Sequence, residues 1–265
     1  MRIGRFVGEP GAEAEDRHRP GLASLAQRIR ACGAFAAVQL VHGGPQASSE
    51  VSAAATVGPS AIPPSEGADV PRELAAEEIA AIQTRFAEAA ARCIEAGFGA
   101  VEVHGAHGYL LDSFLSARRN RRRDQYGGSP AGRMRMLIET CRQVWSRIGG
   151  HGLLICRVSL FNKEPGEFTS ESFRQLVAAL AEAGVDILHL STDGVFQSYF
   201  GEPVSLGQWA GRFADLPVIA AGGLGDPHDA DRAVAEGHCD LAAIGNAMYE
   251  DPEWTVKARK ELGTA

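Results

Sequence analysis

The sequence predicts an α/β chain, a (β/α)8 TIM-type barrel lacking one or more strands at its amino end. Three observations predict it. Short runs of apolar and β-branched residues recur, apolar throughout instead of alternating, as in strands covered on both faces. Amphipathic stretches of helical length separate them, and strand alternating with helix implies a parallel sheet with right-handed crossovers. The last four runs begin at Leu153, Ile187, Val218 and Leu241 with no break in composition between them. One barrel domain over residues 1–265 is therefore expected, not two domains.

Taken in order, Ile3 to Val7 is a weak strand, and Leu22 to Cys32 a helix stopped by Gly33. Phe35 to Val41 is the first firm strand. Gly43 to Asp69, rich in Ser, Ala, Pro and Gly, reads as a long surface loop at that strand's carboxyl end, a lid or a mobile loop. Helix Ala75 to Ala96 ends at Gly97 and leads into strand Ala100 to His104. Helix Ala131 to Ile148 precedes strand Leu153 to Ser159. Thr169 or Ser170 caps a helix running to Ala183, Gly184 stops it, and strand Ile187 to Ser191 follows. Helix Leu206 to Phe213 leads to strand Val218 to Ala221. Asp226-Pro227 is a cap followed by proline at the first helical position, opening a helix to Glu236 that Gly237 ends before strand Leu241 to Ile244. Six firm strands and Ile3 to Val7 fall short of eight. Such a gap leaves ladder groups unpaired, so self-association or cover by another segment is expected.

Composition narrows the function. Lys and Arg number 26 against 33 Asp and Glu, a net charge of −7, so no basic field recruits nucleic acid or an anionic membrane. A small-molecule substrate is the better expectation. Five scattered cysteines without a Cys-x-x-Cys pair argue against a disulfide framework and a zinc site, and fit a reducing cytoplasm. The charges of the first thirty residues exclude a signal peptide or membrane span there, and no later run approaches the ~20 apolar residues of a spanning helix.

Four motifs carry chemistry. His104-Gly105-Ala106-His107-Gly108-Tyr109 lies where a buried strand ends. Two imidazoles and a phenol there are either donors converging on one oxygen or a structural pair bonded to loop carbonyls. Leu115 to Ser129 is a basic loop whose arginines are expected to pair with Asp112, Asp124 and neighbouring carboxylates instead of forming a nucleic-acid patch. Arg157 sits in a strand too apolar for a charge, facing either an internal carboxylate or a ligand, and Gln39 occupies the same kind of place. Gly222, Gly223 and Gly245, with Asn246, follow the last two strands. They form either a phosphate cradle or tight turns whose glycines serve only the backbone.

Taken together, His104-x-x-His107-x-Tyr109, Asn120-Arg121-Arg122 and Tyr126-Gly127-Gly128-Ser129 resemble the old yellow enzyme family of flavin-dependent NAD(P)H oxidoreductases, over about residues 21–254. The resemblance implies FMN as cofactor and NAD(P)H as reductant. It implies Gln39 at the flavin pyrimidine edge, Arg157 near N1, and Gly222, Gly223 and Gly245 at the phosphate. It further implies His104 and His107 on the carbonyl oxygen of an α,β-unsaturated substrate, with Tyr109 as its proton donor. Three features depart from the family: the short amino end, Asn246 in place of an arginine, and Pro45 in place of a basic residue. Two other readings follow from these departures, a flavin-poor relative serving as scaffold or partner subunit, and a flavin-free acid-base enzyme.

Overall fold

The computed structural model describes residues 16–47, 55–160 and 168–264, so the strand expected at Ile3 to Val7 lies outside the described residues. Six parallel strands form the main sheet: β1 (Ala37–Leu40), β4 (Ala100–Gly105), β5 (Leu153–Ser159), β6 (Ile187–Ser191), β7 (Val218–Ala221) and β8 (Leu241–Ala242). Their lateral order is their order along the chain. Among the described residues β1 and β8 are the two edges, so the sheet is an open arc of a barrel.

One helix precedes the first described strand, and others return the chain between strands. They are α1 (Arg19–Ala31), α2 (Ala76–Glu95), α3 (Leu110–Leu115), α4 (Pro130–Ile148), α5 (Ser170–Glu182), α6 (Leu206–Gly211) and α7 (Pro227–Ala235). The chain continues through α8 (Asn246–Glu250) and α9 (Trp254–Glu261). Local chemistry sets their ends. Ser129 Oγ accepts from the Gly132 N–H at 3.1 Å, Thr169 Oγ1 from Ser172 at 3.1 Å, and Asp226 Oδ1 from His228 at 2.8 Å, each satisfying a helix-terminal amide. Gly97 and Gly184 take φ of 97° and 87°, where glycine closes a helix without strain.

The core lies between sheet and helices, with Phe114, Phe173, Leu137, Leu154, Leu176 and Leu188 fully buried. β4 is buried at all six positions, so a polar side chain on it needs a partner.

The segment expected to be a long surface loop is, where described, tied to the body. Gly44–Gln46 form a 3-10 turn, and β2 (Val57–Gly58) pairs in parallel with β3 (Arg72–Glu73). The arginine-rich loop clamps it. Arg122, itself 7% exposed, donates to the carbonyls of Pro59 and Leu74 and pairs with Asp124 and Glu73, and the Arg121 N–H donates to Ser60 Oγ. The expected Asp124 pairing is present. The buried Arg122 guanidinium and the half-buried Arg119 thus hold carbonyls of the loop itself, Pro59 and Pro64.

Candidate active site

At the carboxyl end of β4 the chain turns through Ala106–Tyr109 before α3. His107 takes a left-handed conformation, φ 61°, which a residue with a side chain keeps only when it is held there. Its N–H donates to Ser159 Oγ at 3.1 Å, and its carbonyl accepts from Gln46 Nε2 at 2.6 Å. The turn gathers three rings. His104 and His107 have centroids 5.0 Å apart, and His104 and Tyr109 5.3 Å.

Burial sets the charge of this cluster. His104 is 3% exposed, and that burial, with the neighbouring His107 and Arg157 charges, pushes its imidazole down to about 3. His107 is lowered by burial and then by Arg157. Both rings are neutral near pH 7, each keeping one N–H to donate.

A cavity of about 310 Å³ opens at the carboxyl ends of β5 to β8, lined by Arg157, Ser191, Gly222, Gly223, Gly245 and Asn246 among others. This is the end where barrel enzymes place their chemistry. Ser191 joins the cavity to the rings: its Oγ accepts from Arg157 Nη2 at 3.0 Å and lies 2.9 Å from His107 Nε2. A Cβ on Gly222, at φ 140°, would stand 2.2 Å from the Thr192 carbonyl, so packing alone demands glycine there. Gly245 differs. Its φ is −107°, and an added Cβ would meet nothing within 4 Å, so the chain's own packing does not explain its missing side chain.

Sheet register puts His104, Arg157 and His189 in one row across β4, β5 and β6. Among the described residues five buried side-chain nitrogens or oxygens lack a hydrogen-bond partner. Three belong to this row: His104 Nδ1, Arg157 Nε and His189 Nε2. Each such atom costs roughly 1–3 kcal/mol, and three side by side mark a surface that a polar ligand edge completes. Gln39, half-buried on β1, is tied to the same region through Glu102.

All nine candidate residues thus fall at one end of the sheet. Sequence reasoning missed Glu102, His189 and Ser191. Glu102 in Val101-Glu102-Val103 and His189 in Leu188-His189-Leu190 carry the signal that singled out Arg157, an ionisable group inside an apolar strand. Ser191 gave no signal, because serine at a strand end is common.

Fold and site together define a β/α-barrel protein with a polar cavity at the carboxyl ends of its strands. The NADH:flavin oxidoreductase / NADH oxidase family model matches residues 9–265, and the chain belongs to that family. An NADH oxidase of Thermoanaerobacter brockii is 35% identical over 257 residues, covering 93% of this chain and 39% of the relative. An NADPH dehydrogenase of Geobacillus sp. (strain WCH70) is 35% identical over 256 residues, covering 94% and 73%. Among solved structures, a morphinone reductase variant in complex with tetrahydroNAD superimposes with a TM-score of 0.79 at 25% identity, over 94% of this chain and 71% of that one. A 2-naphthoyl-CoA reductase complex gives 0.82 at 26%, over 92% and 41%. The chain thus spans about two fifths of the NADH oxidase and nearly three quarters of the NADPH dehydrogenase.

FMN is the cofactor this family implies, with NADH or NADPH as reductant. The residues present fit it. The unsatisfied row offers what a pyrimidine edge of carbonyl oxygens and ring nitrogens requires, and Gly245 leaves room for a group pressed against the backbone. The phosphate end is weaker, since exposed Asn246 brings no positive charge.

Proposed function

We propose that the chain is an FMN-dependent NAD(P)H oxidoreductase that reduces the activated C=C bond of α,β-unsaturated carbonyl compounds. The observation that supports this most is the cluster of two neutral imidazoles and a phenol beside a row of unsatisfied nitrogens. Bound FMN would carry hydride between the nicotinamide and the substrate. His104 and His107 donate to the carbonyl oxygen, stabilising charge that develops there during reduction. Ser191 holds the His107 ring, and Tyr109 delivers a proton to the carbon next to the carbonyl.

The test is reconstitution with FMN, read by the flavin absorption band near ~450 nm, followed by anaerobic reduction with NADPH or NADH and addition of an enone. Reduction followed by enone-dependent return of the yellow band supports the proposal. Reduction by nicotinamide with no response to any enone refutes the substrate class, and no flavin uptake refutes the whole reading. Asn246 favours a second reading, a flavin-poor relative acting as scaffold or partner subunit. It predicts a colourless protein that still binds phenols at His104 and His107.

A further inference from the structure

Glu102 is a carboxylate 9% exposed in the middle of a wholly buried strand. Two other strands occupy its oxygens. Oε1 accepts from Gln39 Nε2 of β1 at 2.5 Å, and Oε2 lies 2.6 Å from His189 Nδ1 of β6. Arg157 of β5 adds a positive charge that acts on it. One carboxylate therefore links an amide and an imidazole, within the field of a guanidinium, around the mouth of the arc.

We propose that Glu102 is the positioning residue of the cofactor site, fixing which edge of the Gln39 amide and which nitrogen of the His189 ring are presented to a bound ligand. The inference rests on the reading that this mouth takes a flavin, and goes beyond it by assigning how the ligand's edge is chosen. Its basis is an inventory of donors and acceptors. An ionised carboxylate only accepts. Burial would raise the Glu102 carboxyl, but the hydrogen bonds from His189 and Gln39, helped by the Arg157 charge, outweigh burial and hold it below the usual carboxylate range. The amide edge meeting it must then be the NH2 edge, and the imidazole nitrogen meeting it must carry a hydrogen.

What Gln39 offers elsewhere follows. An amide otherwise flips at little cost, because its oxygen and nitrogen have nearly the same shape. With Nε2 committed to Glu102, Oε1 is the acceptor left for a ligand. That selects an imide-like edge, an N–H flanked by carbonyl groups, over an edge with an acceptor at the same place. His189 is fixed likewise: with hydrogen on Nδ1, the state of Nε2 is no longer shared between two tautomers. Nε2 is one of the buried atoms without a partner, so its state is available to a ligand and is not consumed by the protein.

The test compares Glu102→Gln, nearly the same shape but able to donate as well as accept, with Glu102→Asp, which keeps the carboxylate. Two readouts are used. In the chain without flavin, ¹⁵N NMR of the His189 ring is expected to show hydrogen on Nδ1 in the parent and a mixture of tautomers in Glu102→Gln. In binding titrations the parent is expected to favour riboflavin over its N3-methyl analogue by roughly tenfold or more, the scale of one lost hydrogen bond. That ratio should fall toward one in Glu102→Gln and recover at least in part in Glu102→Asp. FMN and riboflavin should weaken by the same factor, since the change is at the ring and not at the phosphate. An unchanged His189 spectrum with an unchanged ratio overturns the proposal, as does a loss of affinity that leaves the ratio intact, which is a merely structural effect. If the parent takes up neither flavin, the functional reading fails on its own. The NMR comparison then still decides whether Glu102 fixes the ring, and a parent spectrum without a dominant Nδ1 tautomer overturns it.

Discussion

Protonation of His104 should make the fold acid-sensitive by an amount set by its burial. The ring stands 3% exposed at the end of β4, and its imidazole is pushed from 6.5 to about 3 by burial and by the charges of His107 and Arg157. Below pH 6.5 the unfolded chain takes up a proton at this residue while the folded chain does not, so the unfolded state binds more protons and stability falls with pH. The loss begins near 6.5 and is complete near 3. At about pH 5 the gap in proton uptake corresponds to about 2 kcal/mol, and at about pH 7.5 to almost nothing. Guanidinium unfolding of the parent and of His104→Asn at those two pH values isolates this share, because groups such as His42, which burial and Arg85 lower to about 4, contribute equally to both proteins. The parent should lose about 2 kcal/mol more than the variant between the two conditions. Equal losses would refute the reasoning, showing that the ring charges in place or that the unfolded chain does not expose it.

Three further expectations are simpler to read. Tyr109→Phe in the FMN-loaded chain should slow enone turnover by roughly 10²-fold or more, the scale of a lost general acid, while reduction by NAD(P)H stays near the parent rate in stopped-flow measurements; equal enone turnover would make the tyrosine structural. Asn246→Arg should tighten FMN by about tenfold, as one added charged hydrogen bond would, with no gain for riboflavin, both measured by fluorescence titration. Gly222→Ala places a methyl group against the Thr192 carbonyl at φ 140°, so a loss of roughly 2 kcal/mol or more is expected by chemical denaturation; a neutral result would mean that the β7 turn yields freely.

The sequence by itself determined the alternation of elements, and the reason is local. Apolar runs such as Leu153 to Ser159 and Val218 to Ala221 are strands at those same bounds in the structure, because continuous β-branched and apolar residues suit a strand buried on both faces. Thr169, Asp226, Gly97 and Gly184 act at helix ends within a few residues of themselves, so their roles are legible without knowing what packs nearby. The six-residue α3 was not legible, since a single turn and a half of apolar residues gives too short a period to read. How the loop after β1 is held was not legible, because arginines more than fifty residues away bind its carbonyls. The site shows the same division. His104, His107 and Tyr109 share one turn, and their proximity follows from spacing. Glu102 meets Gln39 across 63 residues and His189 across 87, and only the register of β1, β4, β5 and β6 sets those pairs face to face. Register is fixed by side chains packing across strands and against covering helices, a property of the assembled sheet that no single segment encodes.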